Sequence, residues 1–426
     1  MEEIEGLLAA NDGLEAKSLE SSMTTTDFGH RSSMSHIVTL LFAASCGLSV
    51  ANIYFAQPLL DNVSSEFSID YSIIGSIITI TQIFYAIGLL LLVPLGDILN
   101  QRRLIICQML LSVIALVVVG TATSSTILFA GMGLVGLLAV VTQTLVVFVA
   151  TMAAPAERGR VVGIVTSGVV IGILLARTIA GILTDLAGWR SVYLFSAVLM
   201  LLMIFALYKV LPNIDRKVKT LSYPELIKSV FILLMQERLL RIRAILALLI
   251  FAAFSILWTP LVLPLSAQPL SLSHTAIGAF GLVGAIGALS AARAGKLADR
   301  GYGQRTTGVA LTLLLLSWLL ISYLPQSLFA LIIGIVLLDL AVQAVHVTNQ
   351  SMIFTLRTEE RSRLTAGYMI FYSIGSAVGS ITSTHTYAHY GWNGVCLLGA
   401  IVSAFALLFW TITSRVGAHH NKSRNL

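Results

Sequence analysis

The chain reads as an all-α membrane protein, with twelve transmembrane helices in two pseudo-symmetric six-helix bundles. Three observations predict this. Of 426 residues, 57% are hydrophobic and only 11% are charged. A soluble domain carries about 25% charged residues, and no soluble core of this size hides so much apolar surface, which excludes a cytosolic enzyme. Second, twelve apolar stretches each approach the ~20 residues that a helix needs to cross a bilayer. Third, the two halves of the sequence match one another at a fixed offset.

The twelve spans lie at roughly 36–58, 72–95, 104–122, 126–150, 161–183, 191–211, 244–265, 275–294, 306–324, 327–352, 364–386 and 394–413. None alternates, and each is far longer than a membrane strand of about ten residues, so a β-barrel is excluded. Charge orients them. With the N-terminus in the cytoplasm, 24 of the 26 Lys and Arg residues fall on the cytoplasmic side. Arg190 alone lies outside, and Arg177 alone lies deep within a span, Lys209 and Arg293 standing at the cytoplasmic ends of spans 6 and 8. This is the positive-inside pattern, and it predicts a multi-pass protein of the cell inner (plasma) membrane, in contact with the lipid bilayer, with both termini cytoplasmic.

Segment 1–34 reads as a disordered acidic tail: residues 1–30 hold seven acids and one base, Lys17. It lacks the basic stretch and apolar run of a signal peptide. The first bundle is expected at 35–211, a cytoplasmic linker at 212–243, the second bundle at 244–413 and a short tail at 414–426. The linker is basic, and its stretch 224–235 suits a helix lying at the membrane surface. Cys46, Cys107 and Cys396 stand singly in apolar runs, which suggests neither disulfides nor a thiolate metal site. No phosphate-binding GxxxxGK[ST] occurs, so ATP does not drive the protein directly, and no hydrolase motif stands in a suitable context. An enzyme, a cofactor and a bound metal are not expected. Nor is a nucleic-acid partner, because no basic run stands clear of a span. A monomer is expected.

At an offset of 203 residues, Ile74-Gly75 matches Ile277-Gly278, Arg158 matches Arg361, Gly172 matches Gly375, and Gly188-Trp189 matches Gly391-Trp392. Two parallel six-span repeats about an axis normal to the membrane describe the major facilitator architecture. The loop Gly295–Arg305, with Asp299, Arg300 and Arg305, is a close match to that superfamily's GxLaDrxGrR loop. A first copy holds Asp97, Arg102 and Arg103, with its glycine displaced. The chain thus resembles the major facilitator superfamily over 36–413. The segments NIYFAQPLL (52–60), GILLARTIAGIL (172–183) and LLDLAVQAVHVTNQ (337–350) are similar to a bacterial subgroup of drug or metabolite exporters that exchange substrate for protons. The resemblance implies alternating access between two rocking halves. An aspartate in each loop suits a cap on the next helix and a gating latch to the neighbouring half; a solvated loop is the alternative.

Polar groups inside a bilayer are costly and therefore candidates for function. Span 10 carries Asp339, Gln343, His346 and Gln350 at i, i+4, i+7 and i+11, within about 60° of one another on the helix. Asn349 stands beside them. Asp339 is the only carboxylate within a predicted span and sits about 16 Å from its outer end. It suits proton coupling or substrate binding, and equally a buried packing role. Arg177 could snorkel, bind an anionic substrate or pair with Asp339. In the family's span 5 antiporter signature, Gly163, Gly172, Ala176, Ala180 and Gly181 fall in register, while Arg177 replaces the proline. Asn52 stands where drug-exporting relatives often carry an acid, which shifts a proton site towards Asp339. Further cavity candidates are Tyr54, Gln57, Gln82, Tyr85, Gln143, Trp258, Tyr368 and Tyr372; each is open to a plain packing role. Pro58 is expected to end or kink span 1, and Pro260 and Pro264 to break span 7. The expected function is secondary active transport by alternating access, with proton-coupled efflux of small organic molecules favoured. A metabolite uptake symporter or facilitator is the alternative, followed by a sensor or scaffold built on a transporter fold.

Overall fold

The computed structural model describes residues 35–153, 157–212, 222–290, 294, 297–356 and 360–422. The acidic segment 1–34 lies outside them. Every regular element among the described residues is helical. Among the described residues, nine helices are long and apolar enough to cross a membrane, and two shorter apolar helices cover Ser76–Leu91 and His274–Ile286. One of the nine, 52 residues long, reverses at Gly391, where φ is 62°, and so carries spans 11 and 12. The total is the expected twelve. Gly188, at the equivalent place between spans 5 and 6, has φ 79°. L side chains rarely adopt such angles, so the repeated Gly-Trp pair marks the same reversal in each half.

Span 1 runs straight over His36–Tyr54, tightens at Gln57–Leu59 and resumes over Leu60–Phe67. Pro58 sits in the tightened turn, where its missing N–H costs least. Span 7 stops at Trp258 and resumes over Val262–Ser266. It begins at Arg238, inside the segment read as linker, so the linker is shorter than its basic composition suggests. Within it, Tyr223–Gln236 forms a helix opened by a capping box between Ser222 and Glu225. Its Leu226, Val230 and Leu233 are buried and it packs on span 11.

In a bilayer, helices associate through close packing rather than through the hydrophobic effect, and small residues permit that approach. Spans 1 and 5 meet this way at Gly47, Gly168 and Gly172. Spans 5 with 8, and 2 with 11, form the principal contacts between the halves. The hydroxyls of Tyr54 and Tyr372 bond directly across that seam. Thr79 donates to the Ala377 carbonyl at 2.8 Å and Thr178 to the Gly278 carbonyl at 3.0 Å. Below, the face bearing the linker helix is called the basic face. The face bearing Arg190, His274 and the two Gly-Trp reversals is the opposite face.

Candidate functional site

Arg177 of span 5 is buried and does not snorkel. Its Nε donates to Gln57 Oε1 at 2.8 Å, and its guanidinium lies 3.9 Å from the Trp258 ring centre and 5.4 Å from those of Tyr54 and Phe254. Such stacking offsets part of the cost of burying the cation. Trp258 Nε1 in turn donates to Asp339 Oδ1 at 3.1 Å. The Arg177–Asp339 pair, one of the three readings open for Arg177, is therefore not direct: the indole of span 7 stands between them, stacked on one and bonded to the other. Asp339 also needs Gly284 of span 8, since a Cβ there would fall 2.0 Å from Asp339 Oδ2. One guanidinium nitrogen, Arg177 Nη2, has no hydrogen-bond partner. Beside it lies a cavity of about 240 Å³ lined by Gln57, Pro58, Arg177, Trp258, Leu261, Val262 and Ile277.

The span 10 stripe divides among different neighbours. His346 does not meet Asp339. Its Nδ1 is 2.9 Å from the Tyr368 hydroxyl and its ring packs edge-on against Phe251 at 5.2 Å. Asn349 is not a cavity residue but a buried partner of Arg243, whose Nη1 donates to Asn349 Oδ1 at 3.1 Å and to Thr307 Oγ1 at 3.2 Å. Gln343 and Gln350 are half-buried. Tyr372 packs on Phe251 and reaches Tyr54. Asn52 turns into its own half and accepts from Ser196 at 2.7 Å. Tyr85 interacts with Gln143, while Gln82 Oε1 is buried without a partner.

Arg243 corrects the reading of Arg177 as the only base within a span. It is fully buried in span 7, and sequence reasoning assigned it to the linker. The hint was its position: Arg243 directly precedes the uninterrupted apolar run from Ala244.

Asn100 caps span 3, accepting from the Arg103 backbone N–H at 3.2 Å. The side chains of Asp97 and Asp299 lie outside the described ones. Arg102 stays in its own half, donating to the Tyr208 carbonyl at 2.7 Å and stacking on that ring. Arg305 lies 5.8 Å from the Tyr302 ring, also in its own half. Arg103 and Arg300 are exposed.

A cluster that sequence reasoning missed closes the opposite face. His274, just outside span 8 as read from the sequence, lies between Asp61 and Asp185 of the other half. Its Nε2 is 3.1 and 3.2 Å from the two Asp61 oxygens, and its Nδ1 is 3.2 Å from Asp185 Oδ1. Asp185 also caps the span 8 helix, accepting from the backbone of His274 at 3.1 Å and of Thr275 at 2.7 Å. The Asp61 hydrogen bond, working against burial and joined by both carboxylate charges, raises His274 above its ordinary range. The available clue was two acids at span ends on the face that holds a single base. That base, Arg190, is bound to Glu66 at 2.5 Å.

Two bundles seamed by spans 5, 8, 2 and 11, with a charge on each side of the seam at mid-membrane, describe a carrier. The family model for the Major Facilitator Superfamily matches residues 37–307 and 243–426. The chain belongs to the major facilitator superfamily. This superfamily member is 48% identical over 377 residues to the transporter YgaY of Escherichia coli O157:H7, covering 88% of this chain and 95% of that one. It is 25% identical over 380 residues to the inner membrane transport protein YnfM of Escherichia coli K12, covering 88% and 89%. Its fold is similar to a bacterial homologue of the human lysosomal transporter Spinster, with a TM-score of 0.74 at 14% identity, over 89% of this chain and 96% of that one. Its relatives are multi-pass membrane transporters, not enzymes.

Proposed function

We propose that the protein exports small organic molecules in exchange for protons, across a bacterial inner membrane, with the basic face in the cytoplasm. The orientation rests on the distribution of Lys and Arg. The observation that carries the exchange reading is the meeting of Arg177, Trp258 and Asp339 at the seam between the halves. Asp339 is buried, and the hydrogen bond it accepts comes from a neutral indole. A buried carboxylate so thinly compensated is costly. Binding a proton or a cationic substrate group removes that cost, so the two compete for one place. Competition at a seam that opens alternately to either side is what an exchanger needs. The lining by Trp258, Leu261, Val262 and Ile277 favours a moderately apolar substrate.

A second reading, uptake of an organic anion together with a proton, is favoured by the unpartnered Arg177 Nη2 beside its cavity. Drug accumulation and susceptibility in a bacterial host lacking its own major pumps test both, with Asp339→Asn compared at matched membrane expression. Uncoupler-sensitive protection that disappears in the variant is the expected result. Protection that survives the substitution returns Asp339 to packing. No protection by the unaltered protein, with proton-dependent uptake of a carboxylate abolished by Arg177→Gln, replaces export by the second reading.

A further inference from the structure

We infer that the cluster of Asp61, His274 and Asp185 is a proton-binding site that locks the opposite face shut, taking up one proton from that side as the halves close. The inference goes beyond the central site, and it adopts from the proposed function only that this face is external.

Both ring nitrogens of His274 lie within 3.2 Å of carboxylate oxygens. An ionised carboxylate only accepts hydrogen bonds, and a neutral imidazole has one donor and one acceptor nitrogen. A neutral ring here would direct one lone pair at a carboxylate. The closed geometry is satisfied when both nitrogens donate, which requires one extra proton. That proton sits on the ring and offsets two carboxylates brought from the other half. Open the face, and the ring loses both acceptors while the carboxylates regain water.

The charged surroundings support this assignment. Span 8 carries no other titratable residue within His274–Ser290, and the distal helix of span 7, Val262–Ser266, carries none. The turn Gln57–Leu59 carries none. On Leu60–Phe67 the other acid is Glu66, already engaged by Trp189 and Arg190. On span 5 the nearest base is Arg177, two turns deeper and stacked on Trp258. On span 10, Asp339 bonds to Trp258 and His346 faces Tyr368. The span 8 helix terminus opposes an imidazolium weakly. Two charge-assisted hydrogen-bonding acceptors outweigh it.

The location makes the proton matter. Spans 5 and 8 touch here backbone to backbone: a Cβ on Gly181 would fall 2.1 Å from the His274 carbonyl oxygen. Ile277 and Arg177, one and two turns inward, line the 240 Å³ cavity. The cluster therefore stands over the entrance to that cavity from the opposite face. The sign follows from the chemistry. Closure is fully supported at pH values where the open-state ring is already protonated, and the support is lost as the pH rises through the closed-state value.

The test is the labelling rate of Val262→Cys, a cavity-lining position, by an impermeant maleimide added outside intact cells, with Cys46, Cys107 and Cys396 replaced by alanine; at each pH the rate is divided by that of a free model thiol, because the thiolate is the reacting form. Labelling is expected to be slow at about pH 5.5 and at least about tenfold faster at about pH 8.5. His274→Asn should be fast throughout, and His274→Lys, which keeps a cation, slow throughout. A flat profile with His274 intact overturns the inference, as does a pH-dependent profile retained in His274→Asn. Should the Asn variant fail to reach the membrane, the profile of His274→Lys decides: if it rises with pH as with His274 intact, the proton is held elsewhere and the inference falls. Uncoupler-sensitive efflux with flat labelling overturns this inference alone. A pH-dependent gate without proton-driven transport overturns the export reading and leaves this one standing.

Discussion

The two faces of the molecule hold their halves together by different means. On the opposite face, a side-chain cluster and a helix cap join spans 1, 5 and 8 directly. On the basic face, Arg102 and Arg305 contact residues of their own halves. There a small apolar cleft lies between the bundles, lined by Val93, Thr144 and Val147 on one side and by Arg363 and Ala366 on the other. The linker helix bridges it, with Tyr223 donating to the Leu91 carbonyl at 2.8 Å and with Leu226 and Val230 in the cleft wall. One face is held by direct side-chain contacts between the halves, the other by a helix laid across the gap between them.

The contrast breaks most sharply at Gly181. Gly181→Val places side-chain atoms against the His274 carbonyl and forces spans 5 and 8 apart. Overpacking costs about 1–3 kcal/mol, so impermeant labelling at Val262→Cys should rise roughly 10- to 100-fold, with transport lost. Asp185→Ala comes next. It removes a helix cap worth ~1 kcal/mol together with a His274 contact, and a rise in labelling of about tenfold is expected. Asp61→Asn keeps the shape but removes one of the charges that raise His274. The pH at which the face opens should therefore fall relative to the unaltered protein, read as the midpoint of the labelling profile. The smallest effect belongs to the basic face. Tyr223→Phe removes one exposed hydrogen bond, worth at most ~1 kcal/mol. Labelling of Thr144→Cys from the cytoplasmic side of inverted vesicles should rise less than about fivefold, because Leu226 and Val230 remain in place.

Much of the fold was legible. Length, apolarity and charge bias are properties that a bilayer imposes on each span separately, so twelve helices could be read without knowing their contacts. The Gly-Trp pairs were legible because a positive φ restricts the residue type locally. The centre was half legible. Asp339, Arg177 and Trp258 were singled out because buried polarity is rare in a span, yet their arrangement was not. The expected pair assumed that opposite charges meet, whereas Trp258 supplies both a ring face and an N–H and keeps them apart. His346 shares the Asp339 face in helical projection, and Asn349 stands beside it. They diverge because Tyr368, Phe251 and Arg243 lie at different depths on other spans, which a projection of one helix does not encode. The His274 cluster was missed because each member alone resembles an ordinary polar residue at a span end. Its meaning arises only when three distant segments converge.

The cap on span 8 carries a consequence for how this protein tolerates change. Two of the donors that Asp185 receives are peptide N–H groups of residues 274 and 275. Any residue but proline supplies them. Sequence drift at the start of span 8 thus leaves that half of the handshake intact, while drift at position 185 cannot be absorbed by its partner. Responsibility for the contact is unequally inherited: one repeat offers its main chain unconditionally, and a single side chain of the other must be kept.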